Sequence, residues 1–153
     1  MRRSRLVRKA LQQYWRWQRA LTLGARALVL DERGRVLLVR QTYTPGWLFP
    51  GGGVEFGETA LEALRRELLE EANVALTGPA ELFGIFSNES AFPGDHVALY
   101  IVREWSQSRP PKPNLEIAEV GFFATDALPD ATTAGTRRRL EEFAKGLAPS
   151  ETW

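Results

Sequence analysis

The apolar positions change period several times along the chain, and each change marks a predicted element. Leu6, Ala10, Leu11, Tyr14 and Trp17 recur at helical spacing with arginines between them, which predicts a basic amphipathic helix over residues 5–21. Residues 22–30 and 35–42 read as two strands around the turn Asp31-Glu32-Arg33-Gly34. Val36 and Leu38 alternate with Leu37 and Val39, so both faces of the second strand should be buried, as in a central strand of a layered α/β domain. From Thr59 the period is helical again, with Leu61, Leu64, Leu68 and Ala72 on one stripe. Thr59 and Glu62 have the spacing of a capping box, and Asn73 is the expected left-handed C-cap. Further strands are predicted near 80–87, 97–104 and 119–124, and a closing helix over Thr136 to Lys145 ends at Gly146. Residues 148–153 are expected to fray, and Arg137, Arg138 and Arg139 to form a solvated helix face.

The polar positions of the first long helix carry the chemistry. Glu67, Glu70 and Glu71 lie three and four residues apart, so a helix stacks them on one face. Like charges at that spacing destabilise a helix by roughly 0.2–0.5 kcal/mol per pair. They also occupy the last turns, where the macrodipole disfavours carboxylates. The stripe is centred roughly 110° from the apolar one at 3.6 residues per turn, so these carboxylates are expected to stand clear of the core. A bound divalent ion would remove both penalties. With no histidine or cysteine in the cluster, the oxygen donors suit a hard ion, Mg2+ or Mn2+. Upstream, Gly51, Gly52 and Gly53 form a glycine-rich turn whose backbone could approach a phosphate-bearing ligand. These features point to metal-assisted attack on a phosphate.

Composition adds limits. At 153 residues, 44% hydrophobic and 25% charged, the chain suits one domain with one core. The absence of cysteine excludes disulfides, thiolate metal sites and a cysteine nucleophile, and suits a cytoplasmic location. No stretch has the length and apolarity of a membrane span, and no signal peptide is expected. The net charge of +1 is unevenly spread: residues 1–26 hold eight basic groups and no acid, leaving 12 basic against 19 acidic groups beyond them. The expected organisation is a basic arm over 1–21, a domain over 22–147 and a tail over 148–153. Through the arm, contact with a second subunit or an anionic membrane surface is expected; no specific nucleic acid is.

Gly52, Glu58, Arg66, Glu67, Leu68, Glu70, Glu71 and Val74 stand in a register that resembles the Nudix box: glycine, five residues, glutamate, seven residues, Arg-Glu-Leu, one residue, Glu-Glu. The flanking strands extend the resemblance over residues 22 to 146. It departs at Asn73, where the family usually has glycine; both residues tolerate a left-handed cap. The resemblance implies an α/β/α sandwich with a mixed sheet, and Mg2+- or Mn2+-dependent hydrolysis of a nucleoside diphosphate linked to another moiety. It implies Glu70 and Glu71 as metal ligands and Glu67 as a further ligand or the general base. Arg66 would orient Glu67 and pair with Glu58, the Gly51 carbonyl would contact a metal, and Gly52 and Gly53 would shape the loop. Some members take the base from outside the box; here Glu116 or Glu119 falls at that place, with Glu116 the nearer match. Tyr43, Trp47 and Phe49 are candidates for contact with a small nucleotide substrate. The proline marking many ADP-ribose hydrolases is absent at Ser90, as is the tyrosine common in the dinucleoside polyphosphate group. A nucleoside triphosphate or a nucleotide sugar fits equally well. The rival expectation is a nucleotide sensor without catalysis.

Overall fold

The computed structural model describes Tyr14 and residues 20–153, so the helix expected over 5–21 lies outside the described residues apart from Tyr14, Ala20 and Leu21. The described chain runs β1 (Thr22–Val29), β2 (Val36–Gln41), β3 (Trp47–Leu48), β4 (Gly51–Gly53), α1 (Ala60–Ala72), β5 (Val74–Leu76), β6 (Ala80–Ser87), β7 (Asp95–Val102), β8 (Trp105–Gln107), β9 (Ile117–Phe123) and α2 (Ala134–Lys145). Four strands make a sheet in the order β4-β1-β7-β6, in which β1 and β7 are parallel and the other pairs antiparallel. A second sheet has the order β3-β2-β9, and β5 pairs with β8.

Alternation along β1 builds the layers. Ala25, Ala27 and Val29 join Ala63, Leu64, Leu68 and Ala72 of α1 in one core cluster. Leu28, with Leu30 just beyond the strand, faces the other way, into a cluster with Phe49, Phe86, Leu99 and Leu140 of α2. Each helix therefore covers one face of the strands, giving the α/β/α sandwich with a mixed sheet. Val36 to Val39 of β2 are buried on both faces, as a central strand requires.

The caps of α1 form as their residues dictate. Thr59 accepts from the Glu62 N–H while the Glu62 carboxylate accepts from the Thr59 N–H, a complete capping box. Asn73 ends the helix at φ 54° and ψ 34°.

Two sequence expectations fail at the other helix. Arg139 is only 1% exposed and so leaves the solvated face on which Arg137 and Arg138 remain exposed. Its guanidinium donates to the Thr152 carbonyl, the Ser150 hydroxyl and the Glu142 carboxylate. Arg137 donates to the carbonyls of Pro129, Asp130 and Thr132, and Arg138 to that of Trp153. Nor do residues 150–153 fray: Thr152 bridges Ser87 in parallel, and the Trp153 ring meets Phe86 and Phe49 edge-on at 5.6 and 6.2 Å. The cations of α2 supply donors for the carbonyls of this closing segment, and Trp153 supplies apolar area that favours burial.

Candidate active site

The three glycines form β4, not a free turn. Gly53, Gly52 and Gly51 pair antiparallel with Gly24, Ala25 and Arg26 of β1. Gly51 adopts φ +137°, and a Cβ there would lie 2.1 Å from the Ala25 carbonyl oxygen. At Gly52 a Cβ would lie 2.5 Å from the Glu67 carboxyl carbon, so the missing side chain is what lets the helix carboxylate rest on the strand. Different failures follow. Gly51→Ala should destabilise the fold by about 2 kcal/mol or more, since the obstructing atoms are backbone. Gly52→Ala should displace Glu67 and lower activity more than stability. Denaturant melts beside turnover rates check both, and equal losses of stability would refute the distinction.

Arg66 is the hub of the box. Its Nε and Nη2 donate to the two Glu58 oxygens at 2.8 and 3.0 Å, its Nη1 to Glu67 Oε1 at 2.6 Å, and its Nη2 to the Gly53 carbonyl at 3.2 Å. The bidentate bond to Glu58 fixes the guanidinium plane, and that plane aims Glu67. The same bond holds the Glu58 carboxyl down at about 2, with the Glu55 N–H assisting. Glu55 itself is mostly exposed and 4.0 Å from Arg66.

Glu71 corrects the expectation that all three glutamates stand clear of the core. It is 6% exposed, accepting from the Gly51 N–H at 2.7 Å and from Gln41 Nε2 at 3.3 Å. Burial pushes its carboxyl up from 4.5 to about 7 despite these two bonds. In chelator, folding therefore favours the protonated form. Its stabilising contribution is whole below pH 4.5 and is lost as pH rises through about 7. Metal-free Glu71→Gln should then be more stable than the parent by about 3 kcal/mol at pH 8, and the gap should close near pH 4.5. Urea melts in chelator at the two pH values measure it; a gap independent of pH would refute the assignment.

Around this hub the other predicted residues separate. Glu70 is 60% exposed and 3.7 Å from Arg66 Nη1. Glu116 is exposed and shares a hollow of about 270 Å3 with Glu70 and Glu71. Glu119 instead pairs with Arg40 at 2.6 Å. Tyr43 is 68% exposed, and its hydroxyl is pushed up by partial burial and then by the fields of Glu116, Glu71 and Glu67. Trp47 is half-buried, edge-on to Phe123 at 4.9 Å. Phe49 is wholly buried in the core, packed against Trp153, so it presents no surface to a ligand.

Arg26 is the residue that the sequence reading missed by counting it with the basic arm. It lies in β1 directly opposite Gly51, and its Nη1 donates to the Phe49 carbonyl at 2.8 Å. Burial lowers its pKa, opposed by the fields of Glu71, Asp95, Tyr43 and Glu67. An arginine inside the otherwise apolar run Leu23 to Leu30 was the available signal.

The donor set fits a hard divalent ion. Its groups are carboxylates, and the buried Glu71 charge gains most from a cation beside it. Among the described residues no three His, Cys, Asp or Glu side chains are gathered in ligand geometry, and Glu67 is paired with Arg66. Nor, among them, is any helix long and apolar enough to cross a membrane.

Known proteins resemble this chain in sequence and fold. The chain is 49% identical over 55 residues to an RNA pyrophosphohydrolase of Halorhodospira halophila, covering 36% of this chain and 29% of that protein. It is 48% identical over 58 residues to a putative 8-oxo-dGTP diphosphatase of Bacillus subtilis, covering 37% and 39%. The chain thus matches under two-fifths of the length of these curated relatives. The crystal structure of a MutT NUDIX hydrolase from Burkholderia pseudomallei superposes with a TM-score of 0.67 at 29% identity, covering 78% of this chain and 95% of that one. Nudix hydrolases generally use divalent metals. A family model for the NUDIX domain matches residues 20–143, so the chain belongs to the Nudix family.

Proposed function

We propose that the chain is a Mg2+- or Mn2+-dependent pyrophosphohydrolase that cleaves a diphosphate linkage in a nucleoside diphosphate derivative. The observation that carries this reading is the complete set of box carboxylates on one scaffold: Glu67 aimed by Arg66, Glu71 on the Gly51 N–H, and Glu70 and Glu116 around one hollow. Glu70, Glu71 and Glu67 would hold the ion, which when bound neutralises phosphate charge and acidifies a water. The protein's own groups do the rest. Glu58 locks Arg66, and Arg66 holds the Glu67 carboxylate in place. Glu67 or Glu116 takes the proton as a water oxygen bonds to phosphorus and the anhydride P–O bond breaks, releasing two phosphate-bearing products. Tyr43 would contact the substrate.

The names of the relatives, RNA pyrophosphohydrolase and 8-oxo-dGTP diphosphatase, both describe cleavage of phosphoric anhydrides. A panel of nucleoside triphosphates, nucleotide sugars, dinucleoside polyphosphates and 5′-triphosphorylated RNA, with product identification in Mg2+ and in Mn2+, tests the reading. Turnover that disappears in Glu71→Gln supports it. Binding without turnover across the panel would instead identify a nucleotide sensor. A basic arm over residues 1–21 that contacts a second copy or an anionic membrane is a separate reading, tested by removing it and measuring oligomer size and vesicle binding.

A further inference from the structure

We propose that the loop after β8 is an anion subsite for phosphate beyond the scissile linkage, with Arg109 and Lys112 as its cations and Asn73 as the residue that positions it. This rests on the pyrophosphohydrolase reading and narrows it, favouring a substrate with a terminal phosphate chain over one ending in a neutral sugar.

The loop is tied to the end of the box helix. Asn73 Nδ2 donates to the Arg109 carbonyl at 2.8 Å and to the Ser108 hydroxyl at 3.2 Å. Gln107 Nε2 donates to the Ala72 carbonyl at 2.7 Å, fixing the start of the loop. Glycine at position 73 would supply the left-handed backbone but neither Asn73 bond; asparagine supplies both. Beyond these ties, Pro110, Pro111 and Pro113 restrict the backbone.

The held loop bounds a hollow of about 410 Å3 whose lining includes Leu69, Glu70, Asn73, Arg109 and Lys112. Glu70 also lines the neighbouring hollow with Glu71 and Glu116, so the two concavities adjoin across one carboxylate. Neither Arg109 nor Lys112 makes an ion pair or a side-chain hydrogen bond among the described residues. Two cations with no side-chain partner among the described residues thus share a hollow with Glu70, one of the carboxylates that would hold the ion at the scissile diphosphate. A further phosphate, carrying up to two negative charges, is the ligand that such a pair recognises. A neutral sugar offers it nothing comparable.

The test is calorimetric binding of inorganic tripolyphosphate and of inorganic phosphate in Mg2+ buffer. The parent should bind tripolyphosphate more tightly, and R109A/K112A should weaken it by at least about tenfold while changing phosphate by less than about twofold. Raising salt should weaken tripolyphosphate binding less in the variant than in the parent. Asn73→Gly keeps the cap while releasing the loop, so it should lower the tripolyphosphate-to-phosphate preference without lowering the melting temperature. Equal losses for the two anions, or tripolyphosphate binding untouched by R109A/K112A, would overturn the proposal. Failure of every nucleotide derivative to turn over would remove the pyrophosphohydrolase reading, while the binding comparison would still report on the subsite.

Discussion

Replacing Glu67 by glutamine is expected to lower kcat by about 10²- to 10⁴-fold, the range for loss of a positioned acid–base group. The fold should survive. Glutamine keeps an oxygen to accept from Arg66 Nη1, and its volume suits the space that Gly52 leaves open. What it removes is the charge. The measurement is steady-state kcat on whichever substrate the panel identifies, with a melt alongside. Metal titration then separates the two roles open to this residue. If Glu67 is chiefly a ligand, excess metal should recover part of the rate; if it is chiefly the base, excess metal should not. Glu116→Gln, measured in parallel, shows whether the outer carboxylate carries the proton instead. A Glu67→Gln rate within about threefold of the parent would remove this residue from the mechanism altogether.

The second large effect lies far from the box. Arg139→Met should reduce the free energy of unfolding by about 3–5 kcal/mol, the penalty for breaking one side of a buried ion pair. The buried guanidinium bonds Thr152, Ser150 and Glu142 at 2.5, 2.8 and 2.7 Å, and stands 4.4 Å over the Phe86 ring. Its loss leaves the largely buried Glu142 carboxylate with only a long bond from the Ser150 N–H, and leaves the Thr152 carbonyl with only the Ser150 hydroxyl as donor. Methionine fills part of the volume but offers no donor. Against a typical stability of about 5–15 kcal/mol that is a large fraction. For a chain of this size it corresponds to a fall in melting temperature of roughly 6–20 °C. Urea unfolding at constant m-value measures it. A midpoint equal to the parent's would mean that Trp153 packing, the backbone bonds to Ser87 and Arg138 hold the closing segment without Arg139.

Legibility in the sequence tracked the range of the interactions. The capping box of Thr59 and Glu62 and the left-handed Asn73 depend on neighbours within a few residues, and both formed as read. The alternation in β2 and the stripe on α1 were equally local and equally legible. The short strands β3, β4, β5 and β8 were not, since two or three residues carry no period and exist only through their partners. At the site, the spacing of Arg66, Glu67, Glu70 and Glu71 was plain, whereas the hydrogen bond joining Glu71 to Gly51 spans 20 residues of chain.

Sequence alone determined a helix whose carboxylates share one face, its two caps, and the register that identifies the family, because each of these is decided by side chains a few positions apart. Tertiary structure decided which charges left water. It buried Glu71 against β4 and Arg139 beneath the closing segment, set Arg26 opposite Gly51, and took Phe49 out of reach of any ligand. Desolvation of a charge depends on atoms brought near it from distant parts of the chain, and no local period encodes that.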